Sequence, residues 1–109
     1  MKQLVHTWYN IDRELVETAP CENGVMTLEL AGKKICIARR DDQYYAFAHT
    51  CPHAGAILAN GRIDAKGILI CPLHKYGFNI KNGYNVSGEG FFLKTYPVEQ
   101  REDGIFIGL

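Results

Sequence analysis

Two stretches, Cys51-Pro52-His53-Ala54-Gly55 and Cys71-Pro72-Leu73-His74-Lys75-Tyr76-Gly77, each set a cysteine and a histidine close together, with proline directly after the cysteine. As a spacing they read Cys-x-His, seventeen residues, then Cys-x-x-His. Two ligand-type side chains one or two residues apart let one loop offer both to a single centre, and the long spacer lets a second loop do likewise. Proline fixes φ just after each cysteine and stiffens the loops. Gly55 and Gly77 allow backbone N–H groups to approach closely or to take positive φ, so that such groups can donate to sulfur. Two such pairs within 24 residues argue against chance. Rigid loops with inward-facing amides suit an anionic metal–sulfur centre.

Around the two stretches the dominant apolar period is two. Short runs such as VMTLELA, ICIARR, YYAFAHT, ILIC and IFIGL are rich in β-branched and aromatic residues. Turn signals separate them: Asn23-Gly24, Ala31-Gly32, Asp41-Asp42, Lys66-Gly67, Asn82-Gly83 and Asp103-Gly104. Many short strands joined by tight turns predict an all-β, antiparallel sandwich or barrel. The segment Ile11–Pro20 has room for one short helical turn, and no stretch carries amphipathic helix spacing. Each Cys/His pair falls where a strand ends, hence on a loop. With 109 residues and no linker, repeat or low-complexity tract, the expectation is a single domain.

Twelve basic and twelve acidic side chains leave no formal net charge, so the footprint of a nucleic-acid binder is missing and polybasic membrane attachment has no support. The first residues, MKQLVHTWYNIDREL, carry acids and no long apolar run, so neither an export signal nor a membrane span is read there. The expected compartment is cytoplasmic. Thiols stay reduced there, so the four cysteines are expected to bind metal or fill space rather than form a disulfide framework.

Two metal chemistries compete. A tetrahedral zinc ion held by two cysteines and two histidines would make a small binding domain. The usual zinc-finger spacing pairs cysteine with cysteine and histidine with histidine, whereas each loop here mixes the two, which weakens that reading without excluding it. The other chemistry is a [2Fe–2S] cluster with two cysteines on one iron and two histidines on the other.

The Cys51-x-His53…Cys71-x-x-His74 pattern resembles the Rieske family, and the likeness extends over most of the chain, from WYNI near the start through QYYAFAHTCPHAGAIL and Gly61-Arg62-Ile63 to LKTYPVEQREDGIFIGL. The resemblance implies an antiparallel Rieske fold of stacked small sheets with a cluster-binding subdomain of two loops. It implies one domain over 1–109, with basal sheets at about 1–47 and 91–109 and the cluster-binding part at about 48–90. It implies one [2Fe–2S] cluster per chain, with Cys51 and Cys71 on one iron and His53 and His74 on the other. Two thiolates rather than four make the centre less negative and raise its potential. Imidazole ligands that keep a proton on the outer nitrogen imply a potential that falls with pH once the oxidised form begins to lose those protons.

Respiratory Rieske proteins add a cysteine in each loop, joined as a disulfide, and a serine two places after the second histidine. Ala56, Leu73 and Tyr76 stand there in this chain. Fewer hydrogen bonds to the cluster predict a potential near the lower, about −150 mV, end of the Rieske range. The pattern is similar to soluble Rieske-type ferredoxins, which implies an electron carrier rather than an enzyme. Its expected partners are a flavin-dependent NAD(P)H reductase and a terminal oxygenase, or alternatively the large subunit of an assimilatory nitrite reductase. Only 35 residues follow His74, none of them histidine, so the two-histidine, one-carboxylate iron site of a terminal oxygenase is not expected.

The remaining residues read more plainly. His49 and His6 are expected to be structural, and Cys21 and Cys36 are spare thiols, Cys36 facing away from the two isoleucines that flank it. Tyr44, Tyr45, Phe47, Phe78, Phe91, Phe92 and Phe106 are expected in the core. Pro52, Ala54, Ile57, Pro72 and Leu73 sit on or beside the ligand loops and are expected to form an apolar docking rim, of the small kind, below about 1,200 Å², that fast-exchanging redox partners use.

Overall fold

The computed structural model describes residues 7–11, 25–40, 43–52, 55–73, 75–88 and 90–109. The helical turn expected within Ile11–Pro20 lies beyond Ile11 outside these residues, as do the Asn23-Gly24 and Asp41-Asp42 turns, His6 and Cys21.

Among the described residues the chain is all-β, with one 3-10 turn, Leu58–Asn60. Ten strands form three antiparallel sheets. β1 (Trp8–Ile11), β10 (Gly104–Gly108) and β9 (Val98–Arg101) make the first, in that order. β2 (Val25–Leu30), β3 (Lys33–Arg40), β4 (Gln43–Ala48) and β8 (Thr95–Tyr96) make the second. The third is β5 (Arg62–Ile63), β6 (Ile68–Ile70) and β7 (Gly77–Asn79).

The four-stranded sheet is the middle layer, and its sequence says why. Successive side chains on a strand point to opposite faces, yet Ile35, Cys36, Ile37 and Ala38 of β3 are all buried. Ile35 and Ile37 join Ile11, Tyr44, Ala46, Tyr96, Ile105 and Ile107 in a core shared with the first sheet. Cys36 and Ala38 join Phe47, Leu58, Leu69, Phe78 and Leu93 in a second core toward the third sheet. A strand buried on both faces reads as a continuous apolar run, which is what ICIA is. Each fully buried side chain of the size of Phe47 or Phe78 contributes about 1.5–3 kcal/mol by leaving water.

The turns fix registers. Ala31 and Gly32 both take positive φ, 51° and 77°, the type I′ geometry whose twist matches a two-residue hairpin. In the β5–β6 turn the Asp64 carboxylate accepts the N–H groups of Lys66 at 2.8 Å and Ile68 at 3.0 Å. Of these, the Ile68 bond does most to hold its pKa below the ordinary carboxylate value. The Arg40 guanidinium at the end of β3 donates to the carbonyls of Asp64, at 2.9 Å, and Ala65, tying the third sheet to the second. Gly83 has φ +80°, and a Cβ there would stand 1.9 Å from the Leu93 carbonyl oxygen, so this position admits only glycine.

Candidate metal centre

β4 delivers the first cysteine and β6 the second, through loops with the same backbone plan. In the first, the Cys51 N–H donates to the Ala56 carbonyl at 2.8 Å, Thr50 pairs with Ile57 across the loop, and Gly55 stands at φ +69°. In the second, the Cys71 N–H donates to the Tyr76 carbonyl at 2.8 Å, Ile70 pairs with Gly77, and Lys75 stands at φ +56°. Bond, pairing and left-handed residue fall at the same offsets from the cysteine in both.

The two loops bring their sulfurs together. Cys51 is 2% exposed and Cys71 0%, neither is in a disulfide, and both belong to the core between the second and third sheets. Burial pushes the Cys71 thiol above its ordinary pKa; the Leu73 N–H, which donates to it, works the other way, and the hydrogen bond with Cys51 adds to the rise. A pair of adjacent, unbridged, water-excluded thiols on matched loops is a donor set for a soft metal centre, provided the protons leave as the metal binds. His53, His74 and Ala54 lie outside the described residues. Among the described residues no three His, Cys, Asp or Glu side chains gather, and two of the four anticipated donors are not among those residues.

Several expectations need correction. Gly77 is not the left-handed partner of Gly55; that place belongs to Lys75. The Gly77 N–H donates to Ser87 Oγ at 2.9 Å, and the Gly55 N–H to the Cys51 carbonyl at 2.9 Å, so neither serves a sulfur, whereas the Leu73 N–H does. A Cβ at Gly77 would fit tightly, meeting Ile68 Cγ2 at 3.0 Å and Val86 Cγ2 at 3.1 Å. Phe91 and Phe92 are exposed rather than in the core, while Tyr44, Phe47 and Phe78 are buried as expected. Phe91 packs on Tyr76 with ring centroids 6.0 Å apart, and Phe92 meets Tyr84 edge-on at 5.5 Å. His49 is half-buried, and its carbonyl accepts the Leu58 N–H at 3.0 Å. Cys36 is a core filler, its thiol pushed by burial up to about 11.

Sequence reasoning missed the segment that braces the second loop. Asn85 donates from Nδ2 to the Gly77 carbonyl at 3.0 Å and to Ser87 Oγ at 3.2 Å, and its Oδ1 accepts the Gly90 N–H at 3.0 Å. Asn and Ser between Tyr84 and the Gly88/Gly90 pair were the signal for a turn held by side chains. Of the expected apolar rim, Pro52, Ile57, Pro72 and Leu73 are exposed, Ile57 by 43% and Leu73 by 47%.

The family model described as Rieske [2Fe-2S] domain matches residues 7–97. The chain belongs to this family, and its cofactor is the [2Fe–2S] cluster, not the zinc ion weighed above. The ferredoxin component of the alkene monooxygenase system of Xanthobacter autotrophicus (strain ATCC BAA-1158 / Py2) is 23% identical over 69% of this chain. That match spans 62% of the relative's own length. Among solved structures, a chain of the complex of reduced oxygenase and oxidised ferredoxin in carbazole 1,9a-dioxygenase superposes with TM-score 0.76 at 25% identity, covering 93% of this chain and 92% of that one. A Mycobacterium tuberculosis protein assigned as an NADH-dependent nitrite reductase small subunit gives TM-score 0.80 at 18% identity over 96% of each chain, a likeness of fold. Among the described residues no helix is long and apolar enough to cross a membrane.

Proposed function

We propose that this protein is a Rieske-type ferredoxin, a carrier of single electrons from a flavin-dependent NAD(P)H reductase to a terminal oxygenase, working in the cytoplasm without chemistry of its own on the final substrate. In this reading Cys51 and Cys71 hold one iron and His53 and His74 the other, on a cluster-binding part at about 48–90 carried by basal sheets at about 1–47 and 91–109. What supports it is the matched pair of loops, which buries two cysteine sulfurs not joined by a disulfide side by side beneath an exposed apolar rim. The cluster, when bound, supplies the one-electron chemistry. The chain supplies the rest: Pro52 and Pro72 stiffen the loops, burial excludes water from the sulfurs, and the Leu73 N–H donates to Cys71 Sγ. Leu73, Pro72 and Ile57 offer the contact surface.

Protein purified without oxygen tests this. It should be red-brown, contain iron and acid-labile sulfide in equal amounts, and give a rhombic electron paramagnetic resonance signal after dithionite. Colourless material lacking iron and sulfide after reconstitution overturns it. The fold likeness to a nitrite reductase small subunit favours a second reading, a small subunit working with a nitrite reductase large subunit. Isolation with the native partner separates the two: a partner with mononuclear iron held by two histidines and a carboxylate marks the oxygenase system, and a partner that reduces nitrite marks the other.

A further inference from the structure

Two exposed cations, one on β5 and one on the second cysteine loop, flank Cys71. A cavity of about 170 Å³ opens beside Cys71 and Pro72, and Arg62 and Lys75 stand in its wall. Arg62 is there because it pairs with Ile70, the residue before Cys71. Lys75 is there although its φ of +56° would suit glycine better. Both side chains are exposed, and among the described residues neither takes part in an ion pair.

Along the chain around the two loops acids are sparse. From His49 to Gly88 the sequence contains a single acid, Asp64. Asp64 follows β5 directly, its Oδ1 accepting the Lys66 and Ile68 N–H groups; Arg62 acts on it electrostatically, though less than the Ile68 and Lys66 bonds do, so one acid stands against the two cations. Glu89 lies outside the described residues. Next to the two cations are the exposed Pro72 and Leu73, with Ile57 on the neighbouring loop. The whole chain has no formal net charge, so overall charge would neither attract nor repel a charged partner, and the two exposed cations set the local preference.

We infer that Arg62 and Lys75 receive a carboxylate side chain of an acidic protein redox partner at the cavity beside Cys71, while an apolar residue of that partner lies on Pro72 and Leu73. The inference rests on the ferredoxin reading and adds to it the sign of the partner's docking face. Two cations beside an apolar rim select against partners with basic faces, because placing like charges together in a desolvated contact is costly.

Small redox reagents of opposite charge test the field without the partner in hand. The dithionite-reduced holoprotein is mixed rapidly with hexacyanoferrate(III), a trianion, or with hexaamminecobalt(III), a trication; each takes one electron, reducing Fe(III) to Fe(II) or Co(III) to Co(II). The expected result is a hexacyanoferrate rate that falls as ionic strength rises and a hexaamminecobalt rate that rises. In Arg62→Glu/Lys75→Glu both trends invert, and the low-salt hexacyanoferrate rate drops about tenfold, while the paramagnetic resonance signal stays unchanged. Arg39→Glu, at the end of β3 that pairs with Tyr44, leaves the rates as they are. A redox-inert paramagnetic trianion, hexacyanochromate(III), should broaden amide signals around Asn60–Arg62 before those of Lys66 or Lys81. Unaltered salt trends in the double variant, or broadening centred on Lys66 or Lys81, overturn the docking inference and leave the ferredoxin reading standing. Absence of the cluster signal from the wild-type protein overturns both.

Discussion

The two cysteine loops share a hydrogen-bond plan and differ in what surrounds it. The first hangs from the end of β4, closed by an isolated Thr50–Ile57 bridge, with open space around the position where a Gly55 Cβ would go. The second is built into a sheet, closed by the β6–β7 ladder, braced by Asn85 and Ser87 through Gly77, and covered by Phe91 on Tyr76. One geometry is thus held once by local bonds and once by tertiary structure. The lesson is that a ligand loop is specified by its own six residues, while its tolerance of change is set by what packs behind it.

The largest expected effect removes the symmetry of the site. If each loop gives one sulfur and one imidazole, His53→Ala and His74→Ala should each abolish the rhombic resonance signal, as should Cys51→Ala and Cys71→Ala. Signal retained unchanged in any one of the four removes that residue from the ligand set and breaks the equivalence of the loops.

A smaller effect should fall on the second loop alone. Gly61 lies against the strand that leads into Cys71, and a Cβ there would stand 2.2 Å from the Ile70 carbonyl oxygen and 3.2 Å from that of Leu58. Both are backbone atoms with little freedom to give way. Gly61→Ala should cost roughly 2–4 kcal/mol, read as a lowered denaturation midpoint of the holoprotein. A cost under about 0.5 kcal/mol would mean that the β5–β6 approach is looser than described and that the second loop is no better supported than the first.

Legibility in the sequence follows the same division. The period-two runs and turn residues made the all-β class readable, and the Cys/His spacing made the loops readable, because both are local patterns. The layering was half readable: ICIA implied a strand with alternating faces, but only the third sheet's presence tells that Cys36 faces a core and not solvent. Phe91 and Phe92 were misread because composition places aromatics inside, whereas Gly88 and Gly90, both at positive φ, turn that segment outward. The role of Lys75 as the counterpart of Gly55 was hidden because a left-handed lysine has no sequence signature.

Cys36 gives a comparison within the second core, which it shares with Cys51 and Cys71. It is fully buried, with its thiol raised by desolvation from the ordinary 9.0 to about 11, and it has no place in the ligand pattern. A folded-state pKa above the unfolded one means that the protonated thiol favours the fold. That contribution is complete below about pH 9 and is lost as pH rises through about 11, amounting to about 2–3 kcal/mol. Cys36→Ala should lower stability at neutral pH by leaving a small cavity, and should lose less than the wild type between pH 9 and 11. Parallel pH profiles for the two proteins would show that Cys36 is not the group responsible.

The smallest effect is the one that bears most directly on the loop comparison, because it exchanges the residues that share the left-handed backbone position. Gly55 and Lys75 both sit four residues after their cysteine at positive φ, 69° and 56°, where a side chain is disfavoured by contact of Cβ with its own backbone. Gly55→Ala meets nothing within 4 Å, so its cost is the conformational one alone, about 1 kcal/mol. Lys75→Gly relieves the same strain and should stabilise by about 0.5–1 kcal/mol, since the left-handed preference of glycine outweighs the entropy it adds to the unfolded chain. Opposite signs in thermal unfolding of the two holoproteins, with equal resonance spectra, would establish that the loops are one backbone design used twice. Destabilisation by both would mean that the Lys75 side chain contributes packing over the cavity beside Cys71, and that the second loop keeps its lysine for the fold as well as for its charge.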